Sequence, residues 1–434
     1  MNIFDKFLKI KSNNNTGINL VSDVPKEYSY IKPVIDYFQS KEIPISFYLG
    51  KSLINSDLIK LTKKDFLFEL DALSLRFRFR KVIYRIFRRI TWFFLKPFIK
   101  VPEINLIISK LMSLFFNNPL KYKTTLTITK HRYPWLLCSR NSYIITFPGS
   151  WDHYIKFFLG YYSDIYFGWS HKMNSHWREY QGCRYINLGY PYIFDYLSDI
   201  NLPRISENNI KRQNQEQKRL KILYPLTTCL VYGEIIYNAE LNLVKIIEQA
   251  LLNLDVDFLV KARPNSTKSE IDELSRMFRL PPIAEPIKKS INSFSKEYNF
   301  QRRQLLETID SVINFGTTFV VDSAIAQLPI MQLDMRLYKH KEILDLSSLQ
   351  NKFGPLEDYL LDQKDLIYSI RDDDDIYKSV MDYYKDISNV NLNSKPYKFS
   401  KYLRESFTGT NYLHSKFRQN RLDGIFNCIN SYLD

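Results

Sequence analysis

Short apolar runs alternate with amphipathic stretches along most of this chain, in the rhythm of a parallel α/β fold. In the first half, Gly17 to Val21 predicts a strand, Tyr28 to Ser40 a helix and Ile43 to Leu49 a second strand. A basic insertion lies between Leu53 and Lys123, after which Thr124 to Thr129, Leu136 to Cys138 and Tyr143 to Phe147 resume as short strands. The polar run Ser206 to Lys218, SENNIKRQNQEQK, has no hydrophobic period and predicts a linker. A second series starts with a strand at Leu220 to Tyr224, a helix at Glu240 to Leu254 and a strand at Asp257 to Lys261. Helices at Lys268 to Phe278 and Phe300 to Thr308 follow, then a strand at Ser311 to Asn314, a helix at Val320 to Ala326 and a strand at Pro329 to Leu333. The expected architecture is α/β, with two doubly wound Rossmann-like domains facing one another across a cleft. The first covers 1–205, with helical insertion 76–117, and 206–219 is the linker. The second covers 220–395, and the C-terminal helices 396–434 cross back to the first domain.

A chain of 434 residues is too long for one core and suits two domains of roughly 200 each. Only 12 glycines are present, none in a GxGxxG fingerprint, which disfavours a dinucleotide-dependent oxidoreductase. Cys138, Cys183, Cys229 and Cys428 lie far apart without a CxxC, so reduced thiols are expected and neither disulfides nor a zinc site. His171 and His176 have neither the spacing nor the acidic partners of a metal helix, and no structural metal is expected. The opening MNIFDKFLKIKSNNN lacks the apolar core and cleavage site of a secretory signal, so the chain is expected to stay inside the cell.

Ligands of doubly wound folds sit at the carboxyl ends of the strands, which makes each loop after a strand a candidate site. In DSVINFGTTFVVDSAIAQLPIMQLD, Asp310 to Asp334, a strand ends in the turn Phe315-Gly316-Thr317-Thr318 and a helix begins. Free amides and the positive end of a helix dipole at such a turn suit a diphosphate, and Asp322 could reach a ribose hydroxyl beside it. After the strand at Leu220 come Pro225-Leu226-Thr227-Thr228, with hydroxyls and backbone donors. Past the strand at Asp257 stand Lys261, a point charge, and Arg263, a bidentate fork. The plainer alternative for these two cations is a solvated strand end. In the first half, Pro148-Gly149-Ser150-Trp151-Asp152-His153 follows a strand, so Asp152 or His153 could act as general base toward a hydroxyl. Asp23, in the loop after the first strand, is a third candidate. A helix cap explains Asp152 equally well, and a turn-forming acid explains Asp23.

The net charge of +15 is concentrated between Arg76 and Lys100, a stretch with nine Lys or Arg and no acid. At helical spacing Phe79, Ile83, Ile86, Ile90 and Phe93 share one face, while Arg78, Lys81, Arg85, Arg88 and Arg89 fall on the other, with Trp92 near the end. This predicts a helix lying on a membrane surface. It does not span, because Lys96 and Pro97 end the apolar run before the ~20 residues a crossing needs. A core helix with solvated arginines, an RNA-binding face and a helix packed on an acidic partner are the competing readings. The aromatics lie on the apolar side, whereas nucleic-acid stacking would place them among the cations. The run Asp372 to Asp375 is expected to be an acidic helix start.

The run Gly149 to Leu197 resembles bacterial surface-polysaccharide glycosyltransferases of the capsule and O-antigen type, which have the GT-B fold. The resemblance rests on Ser150, Trp151 and Asp152, then Asp164, then Gly189, Pro191 and Asp195. In the second half it rests on Lys261 to Pro264 and on Gly316, Thr317, Thr318 and Asp322. Arg263 stands where the family usually has His, Asp322 where Glu is commoner, and His153 where Asn is common. The resemblance implies transfer of a sugar from a nucleotide-sugar donor, held in the second domain, to a glycan or lipid-linked glycan acceptor in the first. It implies no metal and no cofactor other than that co-substrate. Thr227, Lys261, Arg263, Gly316, Thr317, Thr318 and Asp322 would hold the nucleotide diphosphate, and Asp152, His153 and Asp23 are the candidate catalytic residues. The expected location is cytoplasmic, peripheral on the inner face of the cell membrane, with an anionic membrane surface as partner and no nucleic acid. A polymerase of the teichoic-acid type, using a CDP-alditol, shares the fold; its turn motif is matched here by Asp310, Ile313, Asn314, Phe315, Gly316 and Thr317. A basic membrane- or nucleic-acid-binding protein without enzymatic activity is the alternative from another class.

Overall fold

The computed structural model describes residues 17–22, 25–55, 59–70, 120–128, 143–147, 163–170, 184–187, 219–263, 266–284, 296–339, 363–408 and 422–427, and isolated positions among 72–93, at 189, among 343–346 and at 429. The chain divides into two compact units. The first comprises Met1–Asp195, Ser290–Ser295 and His414–Asp434, and the second Tyr196–Lys289 and Lys296–Leu413.

In the first unit, seven strands form one parallel sheet: β1 (Ile18–Ser22), β2 (Ile45–Leu49), β3 (Phe66–Glu69), β4 (Thr124–Ile128), β5 (Tyr143–Phe147), β6 (Ile165–Gly168) and β7 (Arg184–Asn187). Their spatial order is β3-β2-β1-β4-β5-β6-β7, so the winding direction reverses between β1 and β4. Both β1 and β2 are buried along their whole length, as near-continuous apolar runs are when helices cover both faces of a parallel sheet. Helix α1 (Pro25–Ser40) buries Ile31, Ile35 and Phe38 in the same cluster as Leu20, Phe47 and Ile145. Leu422, Ile425 and Ile429 join that cluster, so the chain's last described residues belong to the first unit. The buried Asn19 donates to the carbonyls of Tyr122 (2.7 Å) and Thr124 (3.2 Å) and accepts from the Tyr122 amide (3.0 Å). Those bonds satisfy both groups of the Asn19 side chain and fix the approach to β4.

The second unit carries a five-stranded parallel sheet of β8 (Leu220–Pro225), β9 (Val256–Lys261), β10 (Ser311–Asn314), β11 (Ile330–Asp334) and β12 (Tyr368–Ser369), in the order β12-β11-β10-β8-β9. This is the flavodoxin-like strand order, with its switch point between β8 and β10. After α2 (Lys51–Ile54) in the first unit come α3 (Glu234–Leu251), α4 (Lys268–Met277), α5 (Lys296–Thr308), α6 (Phe319–Ile325), α7 (Asp373–Ser388) and α8 (Lys395–Thr408). One core cluster joins Leu243, Val244 and Ile247 of α3 and Val380 and Tyr383 of α7 to the strands. Helix α8 stays with the second unit, so only the residues beyond it return to the first.

Candidate active site at the carboxyl edge of the second sheet

At the β8/β10 switch point the loop after β8 is held from behind by one carboxylate. Glu240, in α3 and fully buried, accepts the amides of Thr227 (2.8 Å) and Thr228 (2.7 Å), the Thr228 hydroxyl (2.5 Å) and the Tyr224 hydroxyl (3.2 Å). Burial pushes the Glu240 carboxyl above its ordinary range, and the bonds from Thr228 and Thr227 offset part of that shift. The amide of Thr227, expected at the phosphates, is therefore occupied within the loop. A second buried acid, Glu270, closes a capping box with Thr267 at the start of α4 and also accepts the Leu230 amide (2.7 Å). Two glutamates thus set the path from β8 into α3.

The turn after β10 is built differently. Asn314 ends the strand, and its Oδ1 accepts both the amide (3.2 Å) and the hydroxyl (2.9 Å) of Thr317. Asn314 Nδ2 donates to Gln332 Oε1 of β11 (2.7 Å), and Gln332 Nε2 donates to the carbonyl of Phe315 (3.0 Å). The Thr317 amide and hydroxyl hold the turn closed. Gly316 and Thr318 are half-buried in the same turn, and Thr318 precedes α6 as its cap residue.

Lys261 ends β9, where its carbonyl accepts the Leu226 amide (2.9 Å). Its ammonium lies 5.7 Å from the centre of the Phe319 ring, and the Arg302 guanidinium lies 5.4 Å from the same ring. Phe319 opens α6, so cations from β9 and α5 converge on the first residue past the turn. Arg302 also forms an ion pair with Asp322, whose carboxylate is fully buried. Asp322 thus faces Arg302 of α5. Arg263 follows two residues after Lys261, the last residue of β9.

Of the expected nucleotide residues, Thr227, Lys261, Arg263, Gly316, Thr317, Thr318 and Asp322 all lie at this one sheet edge. Glu240, Asn314 and Arg302 were not foreseen. Asn314 had a signal, an Asn three residues ahead of a Thr at a helix approach; Glu240 and Arg302 had none, because their partners come from other elements. Asp23, Asp152 and His153 lie outside the described residues, as do Arg78, Lys81, Arg88 and Trp92. Asp164 sits at the amino end of β6, where its carboxylate accepts the Ile144 amide (2.7 Å), away from the carboxyl edge. Asp372 caps α7 by accepting the Asp375 amide (2.9 Å), and Asp373, Asp374 and Asp375 fill the first turn. Among the described residues no three His, Cys, Asp or Glu side chains gather as a metal site would require.

Two Rossmann-like parallel sheets in one chain, each with a reversal of winding, define the GT-B class of α/β fold. No protein-family model matches the chain, and no curated protein matches it. Among solved structures it is similar to the wall teichoic acid polymerase TagF, at a TM-score of 0.50 and 12% identity over 99% of this chain and 93% of that one. A variant of TagF soaked with CDPG gives a TM-score of 0.50 and 12% identity over 100% and 93%. The S. aureus MnaA-UDP structure aligns with a TM-score of 0.48 and 11% identity over 96% of each chain.

Proposed function

We propose that this chain is a GT-B glycosyltransferase that moves a sugar from a nucleotide-sugar donor to a hydroxyl of a lipid-linked or growing surface glycan. The observation that carries the reading is the convergence at the β8/β10 switch point. The loop pinned by Glu240, Lys261 and Arg263 at and just past the end of β9, and the turn closed by Asn314 all belong to the edge where doubly wound sheets take their ligands. In this reading the leaving diphosphate is neutralised by Lys261, Arg263 and the remaining donors of the Gly316 to Thr318 turn, and no metal is needed. Asp322 acts by holding Arg302, with a direct ribose contact as the alternative role. The base that removes the acceptor proton is one of Asp152, His153 and Asp23. The enzyme works in the cytoplasm, peripherally on the inner face of the cell membrane.

A second reading, a CDP-alditol-dependent glycerol- or ribitol-phosphate transferase of the teichoic-acid type, is favoured by the TM-score of 0.50 to TagF. A panel of nucleotide sugars and CDP-alditols in thermal melting separates the two. A ligand at a hundred times its dissociation constant adds about 2.7 kcal/mol. Protection by a nucleotide sugar supports the first reading, protection by CDP-alditols alone supports the second, and protection by neither overturns both. Asp152→Asn, His153→Ala and Asp23→Asn then identify the base as the variant that keeps donor protection and loses turnover.

A further inference from the structure

The basic segment that leaves β3 is helical at positions 72–73, 79, 82–83, 85–86, 89–90 and 93. Leu70 and Leu73 are buried, which ties its start to the first unit. Beyond them the apolar positions turn outward: Phe79 is 76% exposed, Ile86 and Ile90 53% each, and Phe93 81%, with Val82 also exposed. At helical spacing these five side chains fall within about 100° of arc. A core helix would bury that arc, whereas these side chains are exposed. Single exposed apolar residues need no explanation, whereas five in one stripe mark a surface that something else covers.

We propose that this stripe is a docking face for an anionic lipid bilayer. Arg85 and Arg89 are exposed beside the apolar arc, and the whole stretch from Arg76 to Lys100 holds nine Lys or Arg without one acid. Such a face gains from anionic headgroups on its flank and acyl chains beneath its centre at the same time. A second copy of the chain would bring its own like charges against these cations. An RNA needs aromatic platforms between cations, whereas Phe79 and Phe93 lie on the apolar arc. Lys96 and Pro97 end the apolar run before the ~20 residues a crossing needs, so the contact is interfacial. The segment springs from the end of β3, at the carboxyl edge of the first sheet. Resting here on the transferase reading, we add that the bilayer thereby lies beside the loops that would receive a lipid-linked acceptor. The docking itself does not depend on that reading.

Flotation of the full chain with phosphatidylcholine vesicles, with and without phosphatidylglycerol, tests the proposal. The chain is expected to float with the anionic vesicles and only weakly with the zwitterionic ones. The triple variant Ile86→Gln, Ile90→Gln, Phe93→Gln is expected to lose at least ~tenfold in partitioning. Arg85→Gln with Arg89→Gln is expected to lose roughly fivefold per cation at low salt. Both variants change exposed side chains, and an unaltered melting temperature with unaltered donor protection confirms that fold and nucleotide site are intact. Equal flotation of the triple variant and the wild type overturns the proposal, as does indifference to phosphatidylglycerol. So does a dimer by light scattering that the triple variant dissolves without any vesicle binding. Salt-sensitive RNA binding that needs the arginines but not the apolar residues overturns it too.

Discussion

Glu240 accepts the amide and the hydroxyl of Thr228 on one carboxylate oxygen, at 2.7 and 2.5 Å, so one fully buried acid shapes the loop that follows the first strand of the second sheet. Removing it strands the amides of Thr227 and Thr228 in a place water does not reach, at about 1–3 kcal/mol for each unsatisfied group. Glu240→Ala is expected to destabilise the second unit by about 3 kcal/mol or more in urea unfolding. Glu240→Gln keeps one acceptor and is expected to cost less. Donor protection should fall in the same order, because the loop loses its backing before any ligand contact is touched.

The same carboxylate predicts a pH dependence. Its pKa in the folded chain is raised by burial, so between the ordinary carboxylate value and that raised value the folded state binds more protons than the unfolded one. Stability from this group is therefore full at the acid end of the window and declines as pH rises through it. Unfolding free energies measured from pH 4.5 upward should fall more steeply in the wild type than in Glu240→Gln, which cannot titrate. Parallel profiles would remove Glu240 as the source.

Asn314 and Thr317 offer a sharper separation of turn geometry from ligand contact. Asn314→Ala releases the Thr317 amide and hydroxyl and the Gln332 side chain together. Thr317→Val removes the hydroxyl bond and keeps the amide bond. The first is expected to destabilise by about 2–3 kcal/mol and the second by about 1 kcal/mol. If Thr317 touched the diphosphate directly, Thr317→Val would weaken donor binding as much as Asn314→Ala does. The geometry predicts a much smaller loss, readable by calorimetric titration of the donor.

How far the sequence could be read depended on whether a residue's partner was near in the chain. The buried apolar cores of strands such as Ile18–Ser22 and Ser311–Asn314, alternating with helices, gave away the parallel sheets. Strands β3, β6, β7 and β12 escaped notice; β3, β7 and β12 lie at sheet edges, and β3 is largely exposed. The start of α3 was placed late because Ile235, 72% exposed, spoils the amphipathic pattern of its first turn. At the site, the turn and the strand-end cations could be located because topology alone puts them on one edge. What they bond to could not. The bond from the Thr227 amide to Glu240 and the pairing of Asp322 with Arg302 of α5 join separate elements, which no local pattern encodes.

That Arg302–Asp322 pair carries the last prediction. A carboxylate with no exposure and a guanidinium that is 12% exposed are costly to take from water, and breaking the pair leaves one charge buried alone. Asp322→Asn and Arg302→Met are each expected to cost about 3–5 kcal/mol. The double variant Arg302→Met, Asp322→Leu removes both charges and fills the space with apolar atoms, so it is expected to recover much of that loss. Stability by itself would then say little about the site. Donor binding separates the roles, because Arg302 shares the Phe319 ring with Lys261 at the turn. If the pair exists to set the cations at that edge, the refolded double variant should bind donor at least ~tenfold more weakly despite its restored stability. A double variant that regains both stability and affinity would reduce the pair to scaffolding and leave Lys261 and Arg263 as the charges that matter.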